Sequence, residues 1–162
     1  MALVGPTRYT RRMQASGPVV YQNDEFSITL DSRWRAREDA DPRQRTFEDE
    51  SRRARLVISC ALYDLTRDHL IGMAHTVATA RAKGHGEHSP IPLDYDIVEM
   101  APDGAMAHIA QAGRSPGGFH WLEGWVTERK LLNFFVEVDT ENAVAARQVF
   151  DEAFRGFQLY VP

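Results

Sequence analysis

The side chains most able to do chemistry crowd one short stretch. His85-Gly-Glu-His88 sets two imidazoles three residues apart, and Asp94 and Asp96 follow closely. Two histidines at that spacing can reach one ion and carboxylates can complete its shell, so a metal-binding or small-ligand enzyme is one class of function to weigh. The zinc-protease pattern, however, needs its histidines four apart on a helix. The stretch His85–Asp96 contains Gly86, Pro90 and Pro92 and reads as an exposed polar loop. His69, His75, His108 and His120 are scattered over other elements at no ligating spacing. The expectation is no metal and no other cofactor.

Nucleophilic chemistry has equally little to stand on. Cys60, the single cysteine, alternates with apolar residues along a strand and reads as a small buried hydrophobe, where a thiol is inert. Gly113-Arg114-Ser115-Pro116-Gly117 has the letters of a nucleophile elbow without its setting. Pro116 removes an N–H that an oxyanion hole would use, and a hairpin follows instead of a helix. The same glycines lack the strand and helix that flank a nucleotide-binding loop. No catalytic residue is assigned.

Recognition is the better-supported chemistry. Phe119, Trp121, Glu123 and Trp125 alternate along one strand. On the next, Leu132, Phe134, Val136 and Val138 form an all-apolar face, and Leu131, Asn133, Phe135 and Glu137 form the other. The all-apolar set reads as core. The mixed aromatic and acidic face reads as partly open, because a carboxylate is rarely buried without a partner. Phe119, Trp121, Trp125 and Phe135 are therefore the candidate partner-binding residues. They would form a surface for a peptide, a helix or a second copy of the chain, since large aromatics are enriched at interfaces.

The elements that must position these residues follow from periodicity. Phe26, Ile28 and Leu30 alternate with polar residues as a half-buried strand, and Gln44–Phe47 reads as a short edge strand. Arg55–Tyr63 is apolar on both faces and belongs near the centre of a sheet covered on both sides. Leu70, Ala74, Val77, Ala78 and Arg81 keep helical spacing after a cap at Thr66, and Gly84 is the expected stop. Short strands at Ile97-Val98 and Met106–Ala112 precede the hairpin of 119–127 and 130–138, turned at Glu128-Arg129. Asp139-Thr140 is the expected cap of a last helix with the stripe Ala146, Val149, Phe150, Ala153 and Phe154; Phe157–Val161 then runs extended. Short connections require antiparallel pairing. The expected fold is α+β: one antiparallel sheet of about six to seven strands packed with two main helices. Residues 1–18 read as a tail outside a single domain of 19–162.

Composition bounds the rest. A chain of 162 residues is long enough for one substantial core. Its formal charge of −4 argues against nucleic acid as the partner. The eight arginines and six acids of 33–55 are mixed in sign and suit a solvated face. No apolar run approaches the ~20 residues of a membrane span, and Arg11-Arg12 is not followed by the apolar stretch of an export signal. A lone cysteine suits a reducing compartment, so the expected location is the cytoplasm.

Four segments resemble one family: YQNDEFSITLDSRW (21–34), TFEDESRRARLVISC (46–60), GWVTERKLLNFFVEV (124–138) and FDEAFRGFQL (150–159). Together they are similar to the PsbP-like superfamily, which includes DcrB-like bacterial proteins and a Ran-binding nuclear import factor. Its pattern is an F-x-[IVL]-x-L-P-x-x-W start, a central apolar strand, a basic-apolar hairpin and a closing aromatic segment. Asp31 stands where that pattern has proline. The resemblance implies a PsbP-like fold and a non-catalytic binding role. Its bacterial members include chaperones of type VI secretion effectors, so the implied partner is a protein such as a secreted effector or toxin. The implied roles are chaperone, adaptor or immunity-type inhibitor.

Overall fold

The computed structural model describes residues 17–161, so all but two residues of the expected tail lie outside the described part. The described chain has ten strands, two α-helices and one turn of 3-10 helix (Arg67–His69) leading into the first of them. In order the strands and α-helices are β1 (Val19–Gln22), β2 (Phe26–Leu30), β3 (Arg35–Ala36), β4 (Gln44–Asp49), β5 (Ala54–Leu62), α1 (Leu70–His88), β6 (Tyr95–Met100), β7 (Ala107–Ser115), β8 (Gly118–Val126), β9 (Lys130–Val138), α2 (Ala143–Arg155) and β10 (Phe157–Leu159).

Seven strands pair antiparallel in the order β3-β4-β5-β9-β8-β7-β6. The first and last strands do not join them. β2 pairs instead with β1 and β10 in a separate small sheet. The reason is the apolar face of β2: Phe26, Ile28 and Leu30 are buried against Phe47, Leu56, Ile58, Leu132 and Phe134 of the main sheet. A strand lying across a sheet in this way cannot also hydrogen-bond to its edge. α2 completes the same layer with Ala146, Val149, Phe150 and Ala153. The molecule thus has three layers, with α1 alone on the far side.

α1 buries Leu70, Ala74 and Ala78, one per turn, on Ala107, Ile109, Leu122 and Val126. Alanines at the contact let the helix approach β6, β7 and β8 closely. The expected stop at Gly84 fails, because Gly84 does not take the left-handed backbone that would end the helix there, which among the described residues Arg53, Gly104 and Gly117 adopt. α1 runs one more turn and ends when the Ser89 N–H donates to the His85 carbonyl at 2.9 Å. α2 is capped by Asn142, whose side chain accepts from the Ala145 N–H at 3.1 Å, not by Asp139-Thr140. β7 also extends beyond Ala112 to Ser115, because Pro116-Gly117 makes a two-residue turn with Gly117 at φ 88°.

The small sheet is fastened at two points. At one, the Lys130 side chain, 1% exposed, donates to Glu25 and to the Tyr160 carbonyl, both at 2.5 Å. Burial alone would raise the Glu25 carboxyl, but hydrogen bonds and charge from Lys130 and Arg129 hold it below its ordinary value. At the other, the Gly156 carbonyl accepts from the Thr29 N–H at 2.9 Å, and a Cβ on Gly156 would lie 2.0 Å from the Thr29 oxygen. Gly156→Ala must push α2 and β2 apart. The expected cost is about 1–3 kcal/mol, or roughly 2–4 °C of melting temperature per kcal/mol for a chain of this size. Thermal melts check it, and an unchanged melting temperature would contradict this close approach.

Candidate functional site

The register of the β8–β9 hairpin decides where the candidate residues point. Trp121 lies opposite Val136 and Trp125 opposite Leu132. Directly opposed residues share a face, so Phe119, Trp121 and Trp125 stand on the same side as Phe134, beneath α2. Phe135 is on the other side, partly buried at the edge of α1. This corrects the expectation that the four form one surface: a one-residue difference in register reverses a whole strand's assignment. Trp121 is 7% exposed and stacks on Phe150 at 5.2 Å. Trp125 is half-buried and stacks on Phe154 at 6.2 Å and Phe157 at 5.4 Å. Phe119, also half-buried, stacks on Trp121 at 6.2 Å.

Glu123, which was expected to hold this face open, is buried because it has a partner that its own hairpin does not supply. His108 of β7, diagonal to it, hydrogen-bonds to its carboxylate through Nε2 and has Glu99 3.7 Å from Nδ1. The bond to Glu123 raises the His108 pKa above its ordinary value, and the Glu123 and Glu99 charges add to it against the opposing effect of burial. The imidazole also stacks on Trp125 at 5.7 Å.

The residues of the expected His85–Asp96 loop are dispersed. His85 and His88 sit on the last turn of α1. His85 Nε2 donates to the Ile91 carbonyl at 2.6 Å, Asp94 lies 3.6 Å from Arg114, and Asp96 accepts from the Gln111 amide at 2.9 Å. Among the described residues no group of three or more His, Cys, Asp or Glu side chains could hold a metal ion. Cys60 is half-buried, not fully buried. Desolvation chiefly, with the nearby Glu25 charge, pushes its thiol up and away from thiolate.

What the α1 side holds is a half-covered sheet. α1 packs chiefly on β6, β7 and β8 and meets β9 at Leu131 and Phe135, while β5 and β4 lie farther from it on that face. Leu131, Asn133 and Phe135 of β9, Val57 and Ser59 of β5, and Gln44 and Thr46 of β4 are half-buried there, while Ala61 is exposed. β5 is central but covered on one side only. Where the helix meets this open half, a cavity of about 320 Å³ lies between α1 and the sheet, lined by Leu93, Leu122 and Phe135 with Arg81, His85 and His120. Periodicity could have flagged one of these. Arg81 occupies the next position of the helix's buried stripe.

The solution structure of cyanobacterial PsbP (CyanoP) from Synechocystis sp. PCC 6803 superposes with a TM-score of 0.65 at 15% identity, covering 96% of this chain and all of that one. The chain therefore has a PsbP-like α+β fold. A crystal structure from Bacteroides thetaiotaomicron VPI-5482 aligns with a TM-score of 0.46 at 12% identity, over 84% of this chain and 45% of that one. No family model and no curated protein matches the chain. Neither superposition bears on the DcrB-like or Ran-binding branches of the sequence resemblance.

Two outcomes test this geometry. Trp121→Ala should cost about 3–5 kcal/mol in denaturant unfolding, as for a buried aromatic; a near-native midpoint would place Trp121 outside the core. His108 binds its proton more tightly folded than unfolded. Its contribution is therefore complete below its unfolded pKa, about 6.5, and is lost as pH rises through the raised folded value. Glu123→Gln should lower the His108 midpoint seen by NMR titration and flatten that stretch of the stability–pH curve. An unmoved midpoint would show that Glu123 is not the cause.

Proposed function

We propose that the chain is a non-catalytic binding protein that holds a protein partner on the open half of its main sheet, beside α1. The observation that carries this reading is the half-covered face itself. Its central rung, Thr46, Val57 and Phe135, lies across three strands with an apolar middle and polar residues at Gln44, Ser59 and Asn133 around it. An apolar centre with a polar rim is the ordinary anatomy of an interface. The binding surface is thus assigned to Phe135 and its neighbours, and Phe119, Trp121 and Trp125 serve the core behind it. The resemblance to DcrB-like effector chaperones supplies the partner class: a secreted effector or toxin, held by a chaperone, adaptor or immunity-type protein. Pairing of two copies through the same face is the homodimeric form of this reading.

The test is a titration of the chain with the protein encoded beside it, accompanied by sedimentation to detect self-association. Val57→Arg at the centre of the open face should weaken association about tenfold or more with little change in melting temperature. Ile97→Arg is the control: Ile97 is 45% exposed on the opposite side of the sheet and should leave binding unchanged. Binding that survives Val57→Arg in a folded chain would remove this face from the proposal.

A further inference from the structure

Three buried side-chain polar atoms lack a hydrogen-bond partner among the described residues: Tyr63 Oη, Arg81 Nη1 and Asn133 Oδ1. All three belong to the α1 side of the main sheet, and two of them flank Gly124. A Cβ built on Gly124 would lie 3.5 Å from Arg81 Nη1 and 3.3 Å from Asn133 Oδ1, so the guanidinium lies over the bare backbone of β8. Asn133 uses its amide to donate to Ser59 Oγ at 3.3 Å, which leaves its oxygen free. Polar groups enclosed without partners are uncommon, and each calls for an explanation such as an ion or a ligand.

Arg81 is the most unusual of the three. Its helix position continues the stripe Leu70, Ala74, Ala78, where the sheet calls for an apolar side chain. It makes no ion pair among the described residues, although fifteen such pairs occur elsewhere and engage Arg33, Arg37, Arg52, Arg53, Arg55, Arg114, Arg129 and Arg147. Burial alone pushes its pKa down to about 10, so it keeps its charge at neutral pH. Arg81 is half-buried as a residue, but its Nη1 is enclosed with no acceptor, a cost to the fold of a kind that natural proteins keep chiefly where function needs it.

The space beside Arg81 has a definite chemistry. The 320 Å³ cavity has an apolar wall of Leu93, Leu122 and Phe135 and polar groups from His85, His88, Ser89, Gln111, Ser115 and His120. Its described lining includes no carboxylate. His120 is biased to the neutral form by burial and by the neighbouring His85. Gln111 is already committed, donating to the Ala78 carbonyl and to Asp96. The volume sits at the small end of the usual ligand-pocket range of about 300–1,000 Å³.

We propose that this cavity binds a small carboxylic acid with an apolar body, its carboxylate paired with Arg81 and its body against Leu93, Leu122 and Phe135. The site borders the open sheet face at Phe135 but is separate from Val57 and Thr46, since it lies beneath α1 and needs no protein partner. Arginine is suited to the task because its planar fork matches a carboxylate, and a desolvated setting strengthens the pair. Placing the acid at Arg81, nearly two turns before the end of α1, also keeps it away from the negative end of the helix dipole.

Octanoate and octanol are the probes, matched in body and differing in charge. Calorimetric titration of the full chain should show octanoate binding at least about tenfold tighter than octanol. NMR shifts on adding octanoate should concentrate at Arg81, Leu93, Leu122 and Phe135. Arg81→Met should erase the preference for the acid while leaving the melting temperature unchanged or higher, because a half-buried guanidinium with an unpaired enclosed nitrogen has been replaced by an apolar chain of similar reach. Equal affinity for acid and alcohol in the native chain would overturn the proposal, and this comparison needs no variant to fold. So would shifts that spread over the open face at Val57 and Thr46 and miss the cavity, or a folded Arg81→Met chain that still prefers octanoate.

Discussion

The pairing of Trp121 with Val136 and of Trp125 with Leu132 is the constraint on which the rest of the molecule depends. β8 and β9 lie in the middle of the seven-stranded sheet, so their register fixes the facing of every neighbour that pairs outward from them. With this register the two tryptophans join Phe134, Phe150, Phe154 and Phe157 in one aromatic cluster under α2. The other face receives Leu122, Phe135 and Val126, enough to seat one helix. Aromatic pairs of this kind add to simple burial, so the heavier core forms on the α2 side. The opposite side keeps a lighter core, an open half-sheet and a cavity.

The turn that sets the register also ties the layers together. Thr127 Oγ1 accepts from the backbone N–H groups of Arg129 and Lys130, which closes the loop tightly. Lys130 then directs its ammonium inward to Glu25, at the start of β2, and to the Tyr160 carbonyl, beyond β10. Arg129 holds the same carboxylate from the solvent side at 2.8 Å. One acid thus receives two cations from adjacent residues, and the small sheet is pinned to the hairpin that orders the large one. A second anchor lies at the far end, where Asp49, fully buried, accepts from Ser51 and Arg52, and Arg52 reaches Glu152 of α2 at 2.5 Å. The buried atoms of these charges have partners, which the enclosed Nη1 of Arg81 lacks.

The two faces of the sheet therefore divide the labour. The side closed by α2 and the small sheet supplies stability, with its polar groups paired. The side carrying α1 holds the unpaired polar atoms, the cavity and the uncovered strands, and it can accept a ligand or a partner without dismantling the core.

Much of the architecture was legible in the chain because local periodicity reports which residues share a face within one element. The alternation of Leu132, Phe134, Val136 and Val138 marked a core strand, and the spacing of Leu70, Ala74 and Ala78 marked a buried helix stripe that already included Arg81. Periodicity cannot say which face of one strand meets which face of the next, since that depends on register, and a single residue of offset moved Trp121 and Trp125 from a supposed surface into the core. Nor could it find the partner of Glu123, because His108 lies fifteen residues away on a strand paired to the other edge of β8. The helix end at His88 and the separate pairing of β2 with β1 and β10 were decided by tertiary contacts over the sheet, which no turn residue announces. What the sequence determined was the list of elements and their apolar faces, which follow from side chains a few residues apart. What only the tertiary structure decided was the facing of each strand and which polar groups were left without partners, because both depend on contacts between residues distant along the chain.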